Sequence, residues 1–228
     1  MASTVVIVMG MHRSGTSLIA NILRHIGVDM GKRFGLADEA NPEGYWEDLD
    51  FQELNKLLLK KAGGTWNRPP GFFQIMGAAG KLDADIRKLI TRRVRSHAGK
   101  LWGWKDPRNI ITLGAYMPHL RNQNVKIIIP LRDSKEIAAS LMKIHGKNQI
   151  QWLRLNDFYQ QAMKRFTQNY KDRFISLNVN YAALVDRSFS RSTVCQIYKF
   201  IYEEEIPQEM LEDVLELIRY PKPKYKVK

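Results

Sequence analysis

Val5-Val6-Ile7-Val8-Met9-Gly10-Met11-His12-Arg13-Ser14-Gly15-Thr16-Ser17-Leu18-Ile19-Ala20 is the stretch on which the reading of the chain turns. A β-branched run breaks at one glycine and passes through a second into an apolar helical pattern, the strand, loop and helix order of a phosphate cradle. In that geometry successive backbone N–H groups and a helix N-terminus converge on an anion. Gly10 and Gly15 have the spacing of a Walker A loop, but Thr16 stands where that loop carries its lysine, and Arg13 is the side-chain cation inside it. Without a lysine for the β- and γ-phosphates, a triphosphate fits less well than a nucleotide carrying one anion at its 5′ phosphate.

Outward from this stretch, strand and helix patterns alternate. A strand is expected over 4–9 and a helix from 15 or 16 to 26, with Leu18, Ile19, Ile22, Leu23 and Ile26 on one face and Gly27 as the stop. An irregular segment over 28–48 contains Asn41-Pro42-Glu43-Gly44-Tyr45-Trp46-Glu47-Asp48, rich in turn chemistry. A helix over 49–61 follows, then a Gly/Pro-rich segment over 63–80 that reads as a loop or mobile lid. Helices are expected over 82–97, 110–120, 135–144 and 151–170, and short strands over 101–104, 125–131 and 174–179. The remainder to 218 reads as helical. This order predicts an α/β fold of three layers, P-loop-like, with a central, mainly parallel sheet flanked by helices and function at the carboxyl ends of its strands. One domain over 1–220 is expected, with a basic, disordered tail over 221–228.

Composition narrows the class. At 228 residues with 44% hydrophobic and 26% charged residues, the chain has ordinary globular usage, so neither a fibre nor a disordered protein is indicated. Its apolar stretches are too short to span a bilayer, and no secretory leader is expected, since Met1-Ala2-Ser3-Thr4 leads at once into the first strand. A single cysteine, Cys195, excludes an internal disulfide framework and points to a reducing, cytoplasmic setting. The net charge of +13 calls for anionic ligands such as polyphosphorylated cofactors or acidic glycans. No recognisable nucleic-acid-binding motif accompanies the charge, and no Cys/His cluster has ligand spacing, so neither nucleic acid nor a metal is expected.

Three expected strands end in polar clusters: Arg13 to Ser17, Lys105 to Arg108, and Arg132 to Ser140. A doubly wound sheet would line them along one edge. Arg132 at a strand end and Ser140 eight residues on, two turns into a helix, suit a guanidinium and a hydroxyl gripping a second phosphate away from the first loop. Two separated phosphate sites fit a nucleotide phosphorylated at both 5′ and 3′ positions.

These motifs resemble those of sulfotransferases that use 3′-phosphoadenosine 5′-phosphosulfate (PAPS). His12-Arg13-Ser14-Gly15-Thr16-Ser17-Leu18 resembles the family's 5′-phosphosulfate loop, usually Pro-Lys-Ser-Gly-Thr-Thr-Trp. Leu131-Arg132-Asp133-Ser134-Lys135-Glu136-Ile137-Ala138-Ala139-Ser140 resembles its 3′-phosphate motif, and Lys105-Asp106-Pro107 resembles the tyrosylprotein and bacterial glycan branches. Asn180-Tyr181-Ala182-Ala183-Leu184 only partly matches the family's Tyr-Glu-x-Leu segment, since it lacks the acidic residue.

The resemblance implies in-line transfer of a sulfuryl group from PAPS to a hydroxyl or amine, with 3′-phosphoadenosine 5′-phosphate leaving. It assigns His12, Arg13, Ser14, Gly15, Thr16, Ser17, Arg132 and Ser140 to donor binding. Arg13 becomes an electrostatic clamp and Lys105 the second cation on the sulfuryl oxygens. A general base is needed for the acceptor's proton. Glu47, in the Asn-Pro-Glu-Gly-Tyr-Trp-Glu segment, is the choice, with Glu43, Glu39 and His12 as alternatives. The acceptor is a glycan or other small molecule, bordered by Tyr45, Trp46, Trp66, Phe72 or Phe73, and the sequence sets no oligomeric state. A P-loop nucleotide kinase and a non-catalytic binder of polyanions stand as the other readings.

Overall fold

Strand β1 (Thr4–Val8) is apolar at every interior position because both of its faces are covered. Val5 and Ile7 point into one core, Val6 and Val8 into another. The computed structural model describes residues 2–35, 44–146 and 148–219. Glu39, Glu43 and the basic tail over 221–228 lie outside the described residues.

From the glycine loop the chain enters α1 (Thr16–His25), whose Ile19, Ala20, Ile22 and Leu23 form its buried face. Helix α2 (Leu49–Lys61) begins where the Asp48 side chain accepts from the Asp50 N–H, and α3 (Phe72–Lys81) and α4 (Asp83–Ser96) follow. Strand β2 (Leu101–Lys105) leads to α5 (Asn109–Tyr116), and β3 (Asn124–Leu131) leads to α6 (Ser134–His145). Asp133 caps α6, accepting from the Lys135 and Glu136 N–H groups. The long α7 (Gln149–Asn169) returns to β4 (Ile175–Asn180), and α8 (Tyr181–Val185), α9 (Ser190–Tyr202) and α10 (Gln208–Arg219) complete the described chain.

All four described strands are parallel, in the order β2-β1-β3-β4. Helices α2 to α7 pack with Val5, Ile7, Trp102, Trp104, Ile127 and Ile129 on one face. On the other, α1, α9 and α10 pack with Val6, Val8 and Ile128. The three-layer α/β architecture expected from the alternating pattern is therefore the one that forms. No helix among the described residues is long and apolar enough to cross a membrane.

One segment differs from its sequence reading. The stretch over 63–80 is expected to be a loop or lid, yet its second half is α3. Ile75, Ala78 and Ala79 are buried on one face of that helix, while a Cβ at Gly77 or Gly80 would meet open space. Each glycine costs about 1 kcal/mol of helix propensity, and packing against α2 and α5 outweighs that cost.

Lys126 is the exception in β3, a cation only 2% exposed inside a strand. Its Nζ donates to the Phe200 and Ile201 carbonyls, at 2.9 and 3.1 Å, and to Glu203 Oε1 at 3.0 Å. It thus satisfies the otherwise unpaired C-terminal carbonyls of α9 and ties that helix to the sheet. We expect Lys126→Met to lower stability by about 1–3 kcal/mol in urea unfolding; an unchanged midpoint would show that the helix end needs no such anchor.

Candidate active site

The strand order creates a crevice. From β1 the chain eventually joins the sheet on one side at β2, and from β3 it joins on the other at β4, so the loops after β1 and β3 part between them. The glycine loop lies there. Its backbone is left-handed at Arg13 (φ 68°) and again at Gly15 (φ 98°), an alternation from which anion-binding nests are built. Gly15 caps α1 with no side-chain hydrogen bond, and no acidic residue follows in the first turn. The N–H groups of Thr16 and Ser17 therefore head a helix whose N-terminal field favours an anion.

Arg13 is a non-glycine residue in a conformation of appreciable strain, and two contacts hold it there. Its Nε donates to Ser140 Oγ at 3.0 Å, and its carbonyl accepts from Arg132 Nη1 at 2.9 Å. Arg132 and Ser140, read in the sequence as gripping a second phosphate, thus touch the first loop through Arg13. β1 and β3 are adjacent strands, so the loops that follow them meet. Arg132 also donates through Nε to Glu136 Oε2 at 2.9 Å and stacks over the Tyr181 ring at 4.5 Å. That ring occupies the space a Cβ on Gly15 would need, 2.2 Å from its Cδ2. Tyr181, little weighted in the sequence because its neighbour is not acidic, is thus part of the crevice wall.

Along β2, side-chain alternation turns Trp104 into one core and Lys105 toward α1. Lys105 Nζ donates to Ser17 Oγ at 3.3 Å, to the Tyr45 carbonyl at 2.9 Å and to Glu47 Oε1 at 3.0 Å. Glu47 lies in the irregular segment before α2, where the sequence reading placed it. It precedes the Asp48 cap of α2, and Asp50 is the acidic residue of the first turn. Just before it, Trp46 has φ 53° and lies under the Arg24 guanidinium at 4.1 Å. This held, left-handed residue immediately precedes the buried Glu47.

Glu47 Oε2 accepts from Gln52 Nε2 at 2.8 Å and from Arg108 Nη1 at 3.3 Å. Arg108 in turn meets Asp106 Oδ1 at 2.8 Å. Two cations and two carboxylates thus share a site in which none is more than 8% exposed. Burial works against the Glu47 charge, but Lys105 and Arg108 outweigh it and hold the carboxyl down at about 2. Burial raises Asp106, against the pull of Arg108. Arg108 is raised in spite of its own burial, by Asp106 and Glu47.

His12 packs on Trp66, with ring centroids 4.4 Å apart, and meets the edge of Tyr159 at 6.3 Å. Its buried Nε2 has no hydrogen-bond partner among the described residues. Burial, together with the positive charges of Arg108 and Lys105, holds the ring well below the usual histidine range, so it is neutral at pH 7. Ser14 serves the loop itself, its Oγ donating to the Met11 carbonyl at 2.7 Å. Of the aromatic residues considered for the acceptor, Trp46 packs into the core on the α1 side, Trp66 stands between His12 and Trp152, and Phe73 is exposed.

The fold thus brings His12, Arg13, Ser14, Gly15, Thr16, Ser17, Glu47, Lys105, Arg132 and Ser140 to one edge of the sheet. It adds Gln52, Asn55, Arg108 and Tyr181, of which Arg108 had a sequence signal in the polar cluster after β2, Tyr181 had one in a partial motif match, and Gln52 and Asn55 had none. Among the described residues no group of three or more His, Cys, Asp or Glu is arranged to hold a metal ion.

Residues 5–205 match the sequence profile of a family described as "Sulfotransferase family". No curated protein matches the chain significantly. Among solved structures, the chain is similar to the sulfotransferase domain of the Synechococcus PCC 7002 olefin synthase, at a TM-score of 0.52 and 16% identity, over 93% of this chain and 77% of that one. The sulfotransferase STF1 of Mycobacterium tuberculosis H37Rv aligns at a TM-score of 0.46 and 14% identity, over 96% of this chain and 77% of its own. For STF9 of Mycobacterium avium the values are 0.49 and 15%, over 95% and 68%.

The buried cluster makes a prediction about acid stability. Glu47 takes up its proton at about 2 when folded and near 4.5 when unfolded, so its contribution is complete above pH 4.5 and lost as pH falls from there to 2. Across that window the wild type should lose on the order of 3 kcal/mol more than Glu47→Gln, measured by urea unfolding at each pH. Parallel slopes would mean that the ion pairs do not keep Glu47 charged.

Proposed function

The chain belongs to the sulfotransferase family, and from that premise we propose that it transfers a sulfuryl group from PAPS to a hydroxyl or amine on a glycan or other small molecule. The observation that carries this reading is the joining of two phosphate-binding motifs, where Arg13 contacts Ser140 and Arg132 across separations of 127 and 119 residues. A nucleotide phosphorylated at both ends would use both halves. Arg132 and Ser140 suit its 3′-phosphate, and the Gly15, Thr16 and Ser17 N–H groups suit its 5′ end.

The donor supplies a sulfuryl group whose bond to the 5′-phosphate oxygen breaks as a bond to the acceptor oxygen or nitrogen forms. Arg13 cannot readily give up a proton, so its part is to hold negative charge at the loop. Lys105 bridges the loop hydroxyl of Ser17 and the Glu47 carboxylate, and is the cation we assign to the sulfuryl oxygens. Glu47 is the group we assign to the acceptor's proton. While Lys105 sits on it, it is a weak base, and its basicity rises once that ammonium turns toward an anion in the loop.

Calorimetry with 3′-phosphoadenosine 5′-phosphate tests the donor site. Arg13→Ala and Arg132→Ala should each weaken binding about 10- to 100-fold, the loss expected for one charge-assisted contact; if neither weakens it, the donor assignment falls. Labelled PAPS offered with glycan, phenol, lipid and peptide acceptors should give a labelled product with one class, glycans first. Binding without transfer to any of them would overturn the acceptor assignment.

A further inference from the structure

The two oxygens of Glu47 have different partners. Among the described residues Oε1 meets only Lys105 Nζ, at 3.0 Å. Oε2 takes Gln52 Nε2 at 2.8 Å and Arg108 Nη1 at 3.3 Å. The Gln52 amide is oriented for this, because its own Oε1 accepts from Lys56 Nζ at 2.6 Å and leaves the NH2 end for the carboxylate.

Arg108 is fixed more deeply. Its Nη1 and its backbone N–H both donate to Asp106 Oδ1, each at 2.8 Å. Asp106 Oδ2 accepts from Asn55 Nδ2 at 2.9 Å, and Asn55 also donates to Asn109 Oδ1 at 3.2 Å. Tyr116 donates to Asn55 Oδ1 at 2.8 Å, and Asn109 Nδ2 donates to the carbonyl of Val8, the last residue of β1, at 3.2 Å. A continuous buried network therefore runs from the central strand to Oε2 of Glu47. Lys105 differs in kind. It is a point charge on a flexible stem, whereas the planar guanidinium of Arg108 is shared between two carboxylates and set in place by one of them.

We propose that Gln52 and Arg108 are positioning residues that fix Oε2 of Glu47 and so leave Oε1, the oxygen now on Lys105, to receive the acceptor's proton. This rests on the assignment of Glu47 as the base. The O–H or N–H proton of the acceptor passes to Oε1, while its electron pair forms the bond to sulfur and the 5′-phosphate oxygen leaves with the pair of the broken bond. The groups facing Glu47 are Lys105 from β2, Asp106 and Arg108 from the turn into α5, neutral His12 from the glycine loop and neutral Gln52 from α2.

The test compares Glu47→Gln, Gln52→Met and Arg108→Gln in steady-state turnover over pH, with 3′-phosphoadenosine 5′-phosphate affinity measured beside it. Gln52 is half-buried beside solvent, so its variant keeps the fold even if loss of Arg108 from the buried network does not. Gln52→Met should lower kcat about tenfold and Arg108→Gln about 100-fold, with nucleotide affinity within about twofold of wild type. Losing a donor to the ionised carboxylate makes protonation easier, so the acid limb of kcat should move to higher pH in both. Arg108→Lys should recover part of the rate. A folded Gln52→Met protein with wild-type kcat and an unmoved acid limb would overturn the positioning role, while inactive Glu47→Gln would still uphold the base. Full turnover by Glu47→Gln would remove both.

Discussion

Everything at the candidate site depends on neutralising charge where water is excluded. Lys105, Glu47, Arg108 and Asp106 are each at most 8% exposed, and an isolated ion at that depth would be strongly unfavourable. Together they are neutral, and each has a charged partner within 3.3 Å. Because Glu47 comes from the segment before α2 and the others from β2 and the turn after it, the cluster also pins that segment onto the end of the sheet. Removing one member would leave its partner buried and uncompensated, so the cluster constrains fold and site together.

The second constraint is backbone strain. Arg13 and Trp46, two of the three non-glycine residues with positive φ among the described residues, flank the places where function is assigned. The surroundings hold each of them: Ser140 and Arg132 at Arg13, the Arg24 guanidinium over the ring at Trp46. Strain of this kind persists only where neighbouring contacts over-determine the conformation. Here those contacts join the loops after β1 and β3, so the crevice between the two strands is also where the glycine loop is held in shape.

Sequence and structure agree where chemistry is carried by residue type and short spacing. The β-branched run, Gly10, Arg13, Gly15 and the helix that follows form one local unit, and parallel strands bring its neighbours Lys105 and Arg132 to the same edge. The α/β class was legible for the same reason, since period-two and period-3.6 patterns are local. The segment over 63–80 was misread because its glycines are local signals of a loop, whereas the burial of Ile75, Ala78 and Ala79 against other helices is not local.

The sequence by itself determined the alternation of strands and helices apart from α3, the glycine loop and the identity of the cations, because each depends on residues within a few positions of one another. Only the tertiary structure decided which oxygen of Glu47 each cation holds, that Arg13 reaches Ser140, and that Tyr181 packs on Gly15. Those contacts join residues 58 to 166 positions apart, as with Lys105 and Glu47, 58 apart, and Arg13 and Ser140, 127 apart. No periodicity or motif carries such a pairing; it follows from which strands lie side by side and how deeply their ends are buried.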